Sequence, residues 1–289
     1  MSDAPVPQPA LRAAWQVRSR HHPPTIRFDR PLDTLPVSLT GPVCALQCAH
    51  CGGHYLAHMR PLAEVDPATP ATSLLISGGC DRQGRVPVDG HLAQVAALRP
   101  GRRLNWHVGM VDEPAIRAIR PYVDLVSFDV VGDRETAREV YGLDLDLPDY
   151  LATYDLLARH VRVVPHLTVG LRAGRLSGER RAIEALAARG VEALVFLVLI
   201  PTAGTRYAAC EPPPVEEVAA LLAEARVALP EARLYLGCMR PRGAYRDALD
   251  VAAVYAGLNV IVNPARTAVE AATALGLTIT WGEECCALD

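Results

Sequence analysis

The chain of 289 residues has no apolar run of the roughly 18 residues that a bilayer span requires, and no block of basic residues. The first absence argues against a membrane-spanning protein. The second, with a formal net charge of -3, argues against an electrostatic footprint for nucleic acid or an anionic membrane surface. The start of the chain, Met1 to Ala10, is polar and proline-containing rather than charged and then apolar, so no export signal is expected and the cytoplasm is the expected compartment. The chain also lacks the features of a disulfide scaffold, which is short, loop-rich and poor in core. Half of its residues are hydrophobic, enough for one large core. In a reducing compartment cysteine is more often a metal ligand or a catalytic group, so the positions of the eight cysteines become the main evidence.

Between Leu35 and Cys286 short β-branched or apolar runs alternate with helix-like stretches, the pattern of a parallel sheet. The runs are Leu35–Thr40, Ser73–Ser77, Leu104–Val108, Leu125–Val131, Val163–Val169, Ala193–Ile200, Arg233–Gly237 and Asn259–Val262. Segments such as Gly178–Arg189 and Pro214–Ala228 carry alanine and leucine with charged residues at helical spacing. The expectation is an α/β fold, a (βα)8 TIM-type barrel, complete or partial, over residues 35–289 with a cysteine-containing C-terminal tail. Residues 1–34 are expected as an N-terminal extension, extended or loosely helical around His21, His22 and Pro24. Several runs end in glycine, cysteine or proline, and the C-terminal ends of strands are where barrel sites are built.

Cys44, Cys48 and Cys51 follow the first run on one irregular loop. Three thiolates are one too few for a closed zinc site, which usually takes four ligands in paired short spacings. A [4Fe–4S] cluster bound by three cysteines instead leaves one iron open to a small chelating ligand. The spacing Cys-x-x-x-Cys-x-x-Cys resembles the motif of radical S-adenosylmethionine (SAM) enzymes, and further segments extend the resemblance over most of the chain. Ser77-Gly78-Gly79-Cys80 stands where that family has Gly-Gly-Glu, with Cys80 in place of the glutamate. Gly170 to Glu179 resembles the glycine-containing segment on the SAM side, and Pro201-Thr202-Ala203-Gly204-Thr205 the Pro-x-x-Gly-Thr loop of biotin-synthase-like members.

The resemblance implies a SAM-binding [4Fe–4S] cluster on the triplet and a 5′-deoxyadenosyl radical that abstracts a hydrogen atom. It implies SAM contacts from Gly78, Gly79, Gly170, Glu179, Pro201, Gly204 and Thr205, with Asp129 at the ribose. Taken alone, each glycine cluster reads better as a turn needing positive φ, and Asp129 equally well as a loop-capping residue. No residue is assigned as catalytic.

Cys80, Cys238, Cys285 and Cys286 are the first choice of ligands for a second, auxiliary iron–sulfur cluster, with Cys210 in reserve; the competing reading makes them buried apolar residues. His54 and His58 stand four apart and would share a helical face. His107 and His166 lie in strands, and Arg240 and Arg242 could meet a carboxylate. The branch resembled is that of biotin and lipoyl synthases, specifically one component of the two-part lipoyl synthase. That implies sulfur insertion at unactivated carbons of an octanoyl substrate, free or bound to a lipoyl domain. It further implies a reducing ferredoxin or flavodoxin and a second radical SAM subunit as partners. The N-terminal cysteine motif and C-terminal Arg-Ser-Ser-Tyr of the single-chain enzyme are absent. Two alternatives are a radical mutase or C–C lyase related to methylornithine synthase, and a noncatalytic iron–sulfur carrier.

Overall fold

A computed structural model describes residues 9–288, so the polar start at residues 1–8 lies outside the described residues. Its strands are β1 (Thr25–Asp29), β2 (Thr34–Ser38), β3 (Arg60–Pro61), β4 (Ser73–Ser77), β5 (Arg103–Trp106) and β6 (Leu125–Asp129). They continue as β7 (Val163–Val169), β8 (Ala193–Val198), β9 (Arg233–Leu236), β10 (Val260–Val262) and β11 (Thr278–Gly282). The helices are α1 (Pro9–His21), α2 (Leu92–Leu98), α3 (Glu113–Ile119), α4 (Arg134–Thr136), α5 (Leu147–Ala158), α6 (Glu179–Ala187), α7 (Val215–Ala228), α8 (Ala244–Tyr255) and α9 (Arg266–Ala274).

All eight apolar runs form strands, joined in one parallel sheet of 11 strands in the order β11-β1-β10-β9-β8-β7-β6-β5-β4-β2-β3. The end strands β11 and β3 do not pair with each other, so the sheet curls without closing and is a partial TIM-type barrel. Several helices start where sequence chemistry supplies a cap. Asp112 accepts from Ala115 N at α3, Asp133 accepts from Thr136 N at α4, and Asp146 with Asp149 forms a capping box at α5.

The segment expected as a lead-in belongs to the same sheet. Residues 25–29 form β1, which lies between β10 and β11, and α1 packs on α7. The signal was weak because Thr-Ile-Arg-Phe-Asp and Thr-Ile-Thr-Trp-Gly alternate polar and apolar residues instead of forming continuous apolar runs. His22 is tied in too: the buried Arg226 guanidinium reaches its Nε2 at 2.7 Å and donates to Asn259 Oδ1 and Ala232 O.

Successive residues of each strand face opposite sides of the sheet. Val126 and Phe128, Leu194 and Phe196, and Leu234 and Leu236 join the large core beneath the helices. Their neighbours Leu125, Ala193, Val195, Tyr235, Val260 and Val262 line the concave side, where they bury Cys286, Ala287 and Leu288. The C-terminal tail therefore runs inside the curl of the sheet. It is held there by Cys285 N donating to Thr34 Oγ1 (2.7 Å), Arg103 donating to Leu288 O (2.5 Å), and an Arg103–Glu284 ion pair. Among the described residues, no helix is long and apolar enough to cross a membrane.

Arg240, expected as a possible carboxylate-binding residue, is fully buried and committed elsewhere. Its Nε and Nη2 donate to the two oxygens of the equally buried Asp250 at 2.7 Å each, and Nη1 donates to Gly237 O. Replacing Asp250 with alanine leaves a buried guanidinium without its counter-charge. We expect a loss of about 3–5 kcal/mol of unfolding free energy, read as a lower urea midpoint at unchanged slope.

Candidate functional site

Because all strands run the same way, their C-terminal ends share one rim, and the cysteine loop after β2 lies on it. The loop is fastened on three sides. Ala45 N donates to Cys80 O (2.8 Å), Ala49 N to Val140 O (2.8 Å), and Tyr207 N to Ala49 O (3.0 Å). Gly79 makes the first contact possible: a Cβ there would fall 2.6 Å from Cys44 Cα and 2.7 Å from Cys44 Cβ. Its N–H also donates to Thr40 Oγ1 at 2.7 Å. Val140 lies in a single π-helical turn, Ala137–Tyr141, a geometry often found at functional sites.

Cys44, Cys48 and Cys51 are free and half-buried. Burial pushes the Cys48 thiol up to about 12, and the nearby thiols Cys51, Cys44 and Cys80 add to the effect. Burial likewise pushes Cys80 up to about 12. Such groups stay protonated until a cation joins them, and metal binding releases those protons. Among the described residues no three His, Cys, Asp or Glu side chains converge on a single ion. That does not suit mononuclear zinc, whereas a multi-iron cluster takes more widely spaced sulfurs, and three thiols fit one that keeps an open iron.

Of the expected SAM contacts, Gly78 and Gly79 adjoin the cysteine loop, and so does the 201–205 segment. Gly204 lies against His54, and Gly52 against Thr205. Thr205 Oγ1 donates to Thr202 O, closing the turn that follows Pro201. Glu179 is used differently: it is buried, and its two oxygens accept from Gly170 N (2.9 Å) and Ser177 N (2.6 Å). It braces its own loop. Gly170 has φ +69°, and a Cβ there would sit 2.6 Å from the Pro213 ring, so its glycine serves packing. His54 and His58 are both exposed and lie on a 3-10 turn, where residues four apart do not share a face.

Below the rim, Asp129 at the end of β6 meets a group of imidazoles. His107 Nε2 and Asp129 Oδ2 are 3.0 Å apart, and the His107 and His166 rings stack at 6.2 Å. His166 Nδ1 donates to Val164 O at 3.0 Å, which leaves Nε2 as an acceptor. Burial works to raise Asp129, but His107, His166 and His50 prevail and hold it at about 2. Burial works to lower His107, yet the charge and hydrogen bond of Asp129 raise it above the ordinary 6.5. His166 falls to about 4, chiefly through burial, which outweighs Asp129. His107 and Asp129 still keep 32% and 42% of their side-chain surface exposed, so both remain accessible from solvent.

Deeper in the barrel, Asn105 Nδ2 donates to Cys285 Sγ at 3.4 Å and Ser127 Oγ donates to Asn105 Oδ1 at 3.0 Å. The hydrogen bond from the Cys286 thiol, opposed by burial and helped by Ala287 N–H and Asn105, lowers Cys285 to about 7. Cys238 lies within electrostatic reach of Cys285 and Cys286. Of the four cysteines expected together, Cys285 and Cys286 pack in the barrel interior, Cys238 is exposed after β9, and Cys80 follows β4 with its backbone beside the cysteine loop. The curl of the sheet carries the β4 and β9 ends to different parts of the rim. Cys210 adjoins Tyr207 at the edge of the loop cluster.

Sequence reasoning passed over His50, whose ring lies 6.1 Å from that of Tyr55 and 5.9 Å from that of Tyr141, and whose buried Nδ1 has no hydrogen-bond partner. Its place inside the triplet was a usable signal. A second was Asn105, a polar residue between Leu104 and Trp106 in a buried strand.

No family model and no curated protein matches this sequence. Solved structures resemble the fold. Methylornithine synthase (PylB) matches with a TM-score of 0.65 at 12% identity, over 94% of this chain and 88% of that one. The [FeFe]-hydrogenase maturase HydG from Carboxydothermus hydrogenoformans matches at 0.68 and 15%, over 96% and 72%. Streptococcus suis SuiB, solved with S-adenosylmethionine bound, matches at 0.51 and 12%, over 76% and 52%.

The Asp129–His107 pair has a definite pH signature. Asp129 contributes stability that is complete above its ordinary 3.8 and lost as pH falls through about 2. His107 contributes stability that is complete below 6.5 and lost as pH rises through its raised value. In Asp129→Asn the His107 imidazole keeps the burial that lowers it and only the weaker influence of Cys285 against it, so it titrates lower than in the native protein in an NMR pH series. An unchanged His107 titration would contradict the pairing.

Proposed function

We propose that this chain is a radical SAM enzyme whose [4Fe–4S] cluster is held by Cys44, Cys48 and Cys51. The observation that carries the reading is the placement of three free thiols on one loop at the strand-end rim, packed against Gly79. The likeness of the fold to methylornithine synthase, HydG and SuiB, radical SAM enzymes, supports it.

When bound, the cluster and SAM supply a one-electron cleavage that yields a radical able to take a hydrogen atom from an unactivated carbon. The protein's part is binding, orientation and exclusion of water. Gly78 and Gly79 offer backbone at the cluster for the amino-acid end of SAM, and residues 201–205 close over the same loop. Asp129, held ionised, accepts hydrogen bonds from ribose hydroxyls or a substrate ammonium, and His107 keeps its carboxylate oriented. The tail residues Cys286 to Leu288 fill the far part of the barrel and keep water from entering there.

Two narrower readings follow from different observations. Sulfur insertion, with an auxiliary cluster as donor to an octanoyl chain, is favoured by Cys285 and Cys286 inside the barrel, with the exposed Cys238 after β9 as a further thiol. Rearrangement or C–C cleavage of a small polar substrate is favoured by the His107–Asp129–His166 lining, which offers an alkyl chain little apolar contact. A ferredoxin or flavodoxin as reductant, and a second radical SAM subunit, belong to the first reading.

Iron and acid-labile sulfide after anaerobic reconstitution test both levels. About eight irons per chain, falling to about four in a Cys44/Cys48/Cys51→Ala variant and to about four in a Cys238/Cys285/Cys286→Ala variant, is the result expected for sulfur insertion. About four, falling to none only in the first variant, leaves the SAM cluster alone and turns the choice to rearrangement or cleavage. Iron unaffected by the first variant removes the radical SAM reading itself.

A further inference from the structure

Cys80 is the residue that the readings above leave without a task. It stands where the resembled family has glutamate, and its backbone lies beside the cysteine loop rather than with the buried tail. We propose that Cys80 is a fourth thiolate ligand of the cluster held by Cys44, Cys48 and Cys51, closing in the resting protein the iron position that those three leave open. The inference rests on the cluster reading just given.

The argument begins with the backbone. The pairing of β2 with β4 continues past both strand ends: Leu39 N donates to Ser77 O at 2.7 Å, Gly79 N to Thr40 Oγ1 at 2.7 Å, and Ala45 N to Cys80 O at 2.8 Å. Cys80 is thereby pinned alongside the first residues of the cysteine loop, with Gly79 in contact with Cys44. Cys80, like Cys44, Cys48 and Cys51, is free and half-buried, so four thiols stand on two adjoining segments of the rim.

Chemistry favours ligation over a bystander role. Thiolate is the preferred protein ligand of cluster iron, far better than the carboxylate it replaces. Binding forms one iron–sulfur bond and releases the Cys80 thiol proton to solvent. Chelation of that iron by the amino and carboxylate groups of an amino acid breaks the bond, and the thiolate takes a proton back. No oxidant or reductant is consumed in either direction. The arrangement makes Cys80 a latch that protects the labile iron until SAM arrives.

The test uses the full chain, anaerobically reconstituted, as native protein, Cys80→Ala, Cys80→Ser and, as a control outside the site, Cys210→Ala. Treatment with one equivalent of ferricyanide removes the labile iron from a three-cysteine cluster and leaves the EPR signal of [3Fe–4S]. We expect Cys80→Ala to show a several-fold larger signal than native protein or Cys210→Ala, with one iron in four lost from that cluster. Equal signals in native protein and Cys80→Ala overturn the assignment.

Should the alanine variant fail to take up iron, Cys80→Ser decides. Its dithionite-reduced EPR spectrum differs from native before SAM is added and coincides with it afterwards, because SAM then occupies the same iron in both. Coincident spectra before SAM overturn the proposal. Absence of any cluster spectrum from native protein overturns the underlying radical SAM reading, an outcome distinct from either failure of Cys80.

Discussion

The parallel ladder is the constraint on which the rest of the molecule depends. Every paired strand runs in the same direction, from β2 with β4 to β1 with β11, so every strand-end loop emerges on one rim. A parallel sheet needs a crossover after each strand, and the helices that supply it cover the outer face. The inner face is then free to be lined with residues chosen for chemistry. That is why a buried strand position can hold Asn105, Ser127 or His166 while its neighbour along the chain packs into an ordinary apolar core.

Within that frame the site is assembled by close approach of backbone. Gly79 brings the end of β4 against Cys44, and without that contact the loop would lose one of its three fastenings. The other two come from the π-helical turn at Val140 and from Tyr207, which itself donates to Glu139 Oε1 at 2.6 Å. The cysteine loop is thus held by segments from the ends of β2, β4 and β8 and from the β6–α5 connection. A loop supported in this way is oriented before any ligand arrives, which lowers the ordering cost of binding.

The concave face of the sheet changes character with depth. Its upper level carries an ionised carboxylate among imidazoles, and its lower level carries thiols delivered by the tail. The first level suits polar hydrogen-bonding groups, and the second suits soft metals or redox chemistry. The two levels are linked through His107, whose environment includes both Asp129 and Cys285.

Much of this was legible in the sequence. Buried parallel strands are continuous apolar runs, so Ser73–Ser77 and Val163–Val169 could be bounded to the residue, and the Cys44–Cys48–Cys51 spacing announced its loop because all three ligands lie within one short stretch of chain. Strands β1 and β11 escaped notice because they alternate at the margin of the sheet and lack an apolar run. What only the tertiary structure decided was which distant residues meet: that the Cys80 backbone lies against the cysteine loop, that Glu179 braces a loop, and that the tail enters the barrel. Local composition determines the pitch and burial of each element, but the curl of the sheet determines which strand ends become neighbours. That curl is a property of the whole ladder, and no single segment encodes it.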